Sequence, residues 1–167
     1  MKNKHSAQLY NTLLTLSRNT FFYTKIGLGD NFENRINLMF IHFSILMIIY
    51  KIKEKKFSQS QYDSLFHCIE NDLRELGLGD VSVNSKMKIF NKILYDILLK
   101  FGFYNSTEKK FKLNRDLICK YFILLKDPKS TRFEDFELYF VNFFNFCFEI
   151  ELDYLVEESI KFTYGRT

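Results

Sequence analysis

Asp72-Leu73-Arg74-Glu75-Leu76-Gly77-Leu78-Gly79-Asp80-Val81-Ser82-Val83-Asn84-Ser85-Lys86-Met87-Lys88 closes one helix and opens the next. Gly77 suits the left-handed residue that ends a helix, and the leucine after it can pack back on the last turn. Asp80 can cap the helix that follows, directly or through a short turn. Ile26-Gly27-Leu28-Gly29-Asp30 is nearly the same pentapeptide as Leu76-Gly77-Leu78-Gly79-Asp80. One stop-and-restart corner used twice accounts for the echo, because the flanking residues do not repeat. The glycines at 27, 29, 77 and 79 are therefore read as structural corner residues.

Around these corners the chain reads as a series of helices. Proline occurs once, at Pro128, and glycine six times, so the usual breakers are scarce. A first helix is predicted over 6–19, continuing or restarting at Phe21, Phe22 and Ile26, and a second over 31–55, with Asp30 and Glu33 as a D-x-x-E capping box. A third, over 58–76, carries Tyr62, Leu65, Phe66, Ile69, Leu73 and Leu76 on one stripe. A fourth, over 84–101, repeats the pattern with Met87, Phe90, Leu94, Ile97 and Phe101. A polar loop is predicted over 102–112, then a helix over 113–126 ending at Asp127-Pro128. Thr131 and Glu134 form another box before a phenylalanine-rich helix reaching Phe148. A short helix over 152–158 and a loose tail complete the chain. No strand is predicted. The expected fold is all-α, one domain over 1–167 built as a bundle of about six to seven helices.

Composition sets the limits. At 167 residues, with 47 % hydrophobic and 26 % charged, the chain can bury a single core. Its 20 Phe and 10 Tyr, with no Trp, match the bias of an AT-rich genome as well as any functional need. A net charge of +4 permits contact with RNA or anionic lipid without requiring either, and DNA is not an expected partner. The cysteines Cys68, Cys119 and Cys147 are odd in number and widely spaced, which argues against a disulfide framework or a zinc knuckle. The first residues lack the apolar run of a signal peptide and the arginine-rich character of a presequence, so a cytoplasmic location is expected, with peripheral contact to the inner membrane as an addition. The apolar run from Ile36 to Ile52 is near the lower limit of a spanning helix. Asn37, Ser44 and Lys51 recur on one edge of it, which favours a central bundle helix with a wet edge.

Few residues look chemical. Asp63, His67 and Glu70 share a helix face, but a carboxylate-bridged metal site needs a second matching helix. Arg74 joins that face, so an ion-pair ladder is the plainer reading. His42 reads as a core histidine bonded to a neighbour, and His5 lies in the exposed start. No nucleophile–base pair, phosphate loop or carboxylate dyad is present, so neither a catalytic residue, a metal nor a cofactor is assigned. Lys86 and Lys88 sit where a helix dipole disfavours positive charge. Either Asp80 offsets them, or they form a basic docking spot for an acidic partner. Met87 between them reads as core rather than contact. In the last long helix, Phe133, Phe136, Phe140, Phe143 and Cys147 suffice for a core face. Tyr139, Phe146 and Phe148 are then surplus rings, suited to a partner or a greasy client.

The corner segment resembles the ubiquinol–cytochrome c chaperone family. The resemblance runs roughly from Leu9 to Phe101, through Leu9-Tyr10, Ser17-Arg18-Asn19, Tyr23, Asp30, Arg35, His42, Tyr62-Asp63, the run from Asp72 to Asp80, Val83 and Lys86-Met87-Lys88. It departs where the family usually has Tyr-Gly-Arg after the methionine helix; here Tyr95 is followed by Asp96 and Ile97. Asn31 also stands in place of Thr, and Ile36-Asn37 in place of Phe-Glu. Residues 102–160 show only general helical similarity.

The resemblance implies a non-enzymatic helical chaperone that binds newly made cytochrome b and promotes assembly of the bc1 complex, near the ribosome exit region in mitochondrial relatives. A short chain without a presequence looks like the bacterial form. Partner contact is then expected at Asp30, Arg35, Arg74, Glu75, Asp80, Lys86, Met87 and Lys88. An adaptor at the ribosome or membrane surface, without a cytochrome client, is the alternative.

Overall fold

A computed structural model describes residues 7–164. Among the described residues eight α-helices, α1 (Gln8–Ser17), α2 (Phe21–Thr24), α3 (Phe32–Ile52), α4 (Gln59–Glu75), α5 (Asp80–Lys100), α6 (Arg115–Tyr121), α7 (Arg132–Phe148) and α8 (Leu155–Ser159), share one core. The expected start of the first helix at Ser6, His5 and the last residues of the tail lie outside the described residues.

The mostly helical fold is as expected, with corrections in its details. The predicted polar loop is a hairpin of β1 (Gly102–Asn105) and β2 (Lys110–Leu113), antiparallel, with Phe103 opposite Lys112 and Tyr104 opposite Phe111. Each strand has four residues, too few for its alternation to stand out against the polar turn. Asn105 builds the turn by accepting from the Thr107 and Glu108 amides, at 3.0 and 3.1 Å. The helix expected over 113–126 is likewise shorter, with Ile123–Lys126 forming a 3-10 turn.

The helix α3 runs through the centre. Among the described residues it is the one helix long and apolar enough to cross a membrane, yet 67 % of its most apolar window is buried within the bundle. The wet edge proves to be dry over most of its length. Asn37 and Ser44 are buried and only Lys51 of the three is exposed, because α3 is enclosed on all sides toward its middle.

The corner glycines behave in two ways. Gly27 and Gly77 adopt φ of +82° and +90°, the left-handed conformation that closes a helix. Neither aspartate caps as expected. Asn31 caps α3, its Oδ1 accepting from the Asn34 amide at 2.9 Å, while Asp30 turns to Arg35. At α5 the cap position is Gly79, without a side-chain bond, and Asp80 inside the first turn is drawn to Arg74. Thr131 also makes no side-chain cap; the Ser130 hydroxyl accepts from the Arg132 amide instead.

Aromatic packing ties the hairpin to α7. Phe111 stacks on Phe144 at 4.7 Å between centroids, and Tyr104 on Phe148 at 5.8 Å. Phe148 is thus half-buried, not surplus, and carries the Lys53 ammonium over its ring. Phe146 lies at the margin of exposure and meets Phe162. The tail is tied down through Tyr164, whose ring meets Phe21 and Tyr139 edge-on.

Candidate functional site

Five of the expected partner residues, Asp30, Arg35, Arg74, Asp80 and Lys86, are held in ion pairs near the starts of α3 and α5 and the end of α4. Lys86 near the start of α5 reaches Glu33 in the first turn of α3, at 3.5 Å. Glu33, not Asp80, therefore offsets Lys86. Asp80 is held by Arg74, which also binds Glu70 at 2.9 Å. Those two carboxylates hold the Arg74 guanidinium above its ordinary pKa, Asp80 contributing more than Glu70. Arg35 Nε lies 3.3 Å from Asp30. Most of the charges at the corners are thus turned on each other. Lys88 and Glu75 are exposed, and Met87 is half-buried against the core, as its apolar side chain favours.

Beside these corners a groove of about 360 Å³ opens between α1, α3 and α4. Leu14, Phe32, Ile36 and Met39 supply apolar lining, and Arg18, Arg35, Asp72 and Glu75 supply charge of both signs. Tyr10 donates from its hydroxyl to Asp72, pinning α1 to α4. Burial raises the Tyr10 pKa, and the bond to Asp72 raises it further, so the phenol stays protonated. Leu76, 63 % exposed, belongs to the same lining. Helix periodicity could not find this groove, since its members come from three separated segments.

His42 is fully buried, with Nδ1 2.7 Å from the Leu38 carbonyl and Nε2 2.8 Å from the Tyr139 hydroxyl. A carbonyl only accepts, so Nδ1 carries the proton and the phenol donates to Nε2. Burial pushes the His42 pKa down to about 3, against a smaller upward pull from the Leu38 carbonyl. His42 is the bonded core histidine the sequence suggested. Its partner Tyr139 was expected among the surplus rings and is instead fully buried.

On α4, Asp63 accepts from Gln59 at 2.9 Å, and Glu70 is engaged by Arg74. Among the described residues no three His, Cys, Asp or Glu side chains gather as a metal ion requires.

A family model described as Ubiquinol-cytochrome C chaperone matches residues 24–102. Residues 24–102 belong to that family. Searches of curated proteins and of solved structures return no match. The family segment covers both glycine corners and α3, α4 and α5, with most of the groove lining; Tyr10, Leu14 and Arg18 precede it. Its end coincides with the start of the hairpin. At the family departure, Asp96 accepts from Lys120 at 2.8 Å and from the Tyr121 hydroxyl, and pairs with Lys100 at 3.3 Å. Asp96 thereby anchors α6 to the family segment.

Proposed function

We propose that this chain is a non-enzymatic assembly chaperone that holds a segment of newly made cytochrome b and promotes bc1 assembly. The groove between α1, α3 and α4 carries this reading. It offers an apolar lining for hydrophobic client side chains, framed by Arg18, Arg35, Asp72 and Glu75, and it is built largely from the family segment. Mixed charge around an apolar lining favours one orientation of a bound segment and disfavours others. Arg74, Asp80 and Lys86 then act by fixing the corners, while Glu75 and Lys88 are available to a partner. Leu76→Asp and the reversal Arg18→Glu/Glu75→Lys change exposed groove positions. Steady-state cytochrome b falls in cells carrying either variant, at unchanged chaperone level and thermal midpoint. Normal cytochrome b in both variants contradicts the reading.

A second reading, a membrane-surface adaptor, is favoured by the outer face of α5. Val81, Lys88, Lys92, Tyr95 and Leu99 share that face, with Val81 82 % and Leu99 78 % exposed. Apolar side chains interleaved with lysines suit an anionic interface, and a location on the cytoplasmic side of the inner membrane follows. Salt-sensitive binding to anionic vesicles, abolished by Val81→Asp/Leu99→Asp, with no effect of either groove variant on cytochrome b, distinguishes it.

A further inference from the structure

The outer face of the β1–β2 hairpin lies beyond the family segment and is independent of the client reading. Alternation divides the strands cleanly. Tyr104, Phe111 and Leu113 turn inward, Tyr104 and Phe111 against Phe144, while Phe103, Asn105, Lys110 and Lys112 turn outward. Phe103 is 58 % exposed and stands directly opposite Lys112; Lys110 is opposite Asn105, and Lys109 projects from the turn at φ +53°. Among the described residues none of these three lysines is in an ion pair, unlike Lys86, Lys100 and Lys120. Strand pairing and the turn thus bring three lysines to one place on the surface.

Beside this face runs a groove of about 660 Å³ between the hairpin and α7. Asn145 reaches it with an exposed amide, and Val141 adds apolar surface. The carboxylates present are Glu108 and Glu137, the second engaged by the Leu113 amide at 3.2 Å.

We propose that the outer hairpin face binds single-stranded RNA, with Lys109, Lys110 and Lys112 meeting phosphates and Phe103 stacking on a base. Exposed aromatic rings beside lysines are what single-stranded nucleic acid uses, since every base offers a face to stack on. One exposed ring supplies too little apolar area for a bilayer, where binding scales with buried apolar surface. An acidic peptide would use the lysines but would leave Phe103 without a role.

The test is fluorescence anisotropy with a labelled ten-nucleotide oligouridylate, across a salt series. Three neutralised phosphates give a slope of log affinity against log salt of about −2. Lys109→Gln/Lys110→Gln/Lys112→Gln flattens that slope and weakens binding at least about tenfold at low salt, whereas the triple Arg variant keeps it. Phe103→Ala weakens binding about 5- to 150-fold. All four side chains face solvent, so the thermal midpoint holds in every variant, and Lys112→Gln alone repeats the comparison if the triple variant does not fold. Unchanged RNA binding in the Gln variants overturns the proposal. So does binding of anionic vesicles or polyglutamate by a protein that leaves the RNA free.

Discussion

The hydroxyl of Tyr139 in α7 donates to Nε2 of His42 in α3 across 2.8 Å of otherwise apolar core. Phe22, Phe140 and Phe143 surround the imidazole edge-on, with centroids at 5.9, 4.9 and 5.0 Å. This bond ties the last long helix to the helix at the centre of the family segment. Tyr139→Phe leaves a buried ring nitrogen without a donor, at a cost of about 1–3 kcal/mol. Urea unfolding measures it. His42→Leu/Tyr139→Phe removes both partners and costs less than Tyr139→Phe alone.

The same histidine makes stability depend on pH. Folded, its pKa is pushed down to about 3 from 6.5, so in mild acid the unfolded chain binds a proton the native protein refuses. The stabilisation is fully present above pH 6.5 and is lost progressively as pH falls toward 3. Between pH 7.5 and 5 the wild type loses about 2 kcal/mol, at 1.36 kcal/mol per pH unit below the free pKa. Urea midpoints at the two pH values check this, and the double variant shows a much smaller drop.

Asp96 acts further into acid. Lys120 and Tyr121, with Lys100, bring its pKa down from 3.8 to about 2. Its contribution is present above pH 3.8 and lost as pH falls through 2, the reverse of a group that gains by protonation. Asp96→Asn frees α6 from α5 and increases amide exchange over residues 115–121 while leaving α4 protected, as hydrogen exchange by mass spectrometry reports.

Ser44 is buried at 1 % exposure, and its hydroxyl finds no hydrogen-bond partner among the described residues. Ser44→Ala removes an unsatisfied polar group and favours helix, so it stabilises by about 1 kcal/mol. A rise in the thermal midpoint is the expected reading.

The paired corner glycines separate in the same assay. Gly77→Ala forces a side chain into φ +90° and costs about 1–2 kcal/mol. Gly79 has ordinary backbone geometry with open space where a Cβ would stand, so Gly79→Ala stays within about 0.5 kcal/mol of wild type.

These residues also show how far the sequence could be read. The stripe Leu65, Ile69 and Leu73 and the left-handed Gly27 and Gly77 were legible because each depends on local chemistry. Caps were misread where a side chain had a better distant partner, as Asp80 has in Arg74. Tyr139 was misassigned because its worth depends on His42, 97 positions away. The hairpin escaped because strands of four residues give periodicity too little length. The groove was hidden for a related reason: Arg18, Arg35 and Glu75 meet only after α1, α3 and α4 have packed.

The client groove is tested most directly by photocrosslinking in native cells. A photoreactive residue placed at Leu76 captures cytochrome b, and one placed at exposed Lys56, past the end of α3 opposite the groove, does not. Equal yields from both positions, or Leu76 adducts without cytochrome b, would contradict the account.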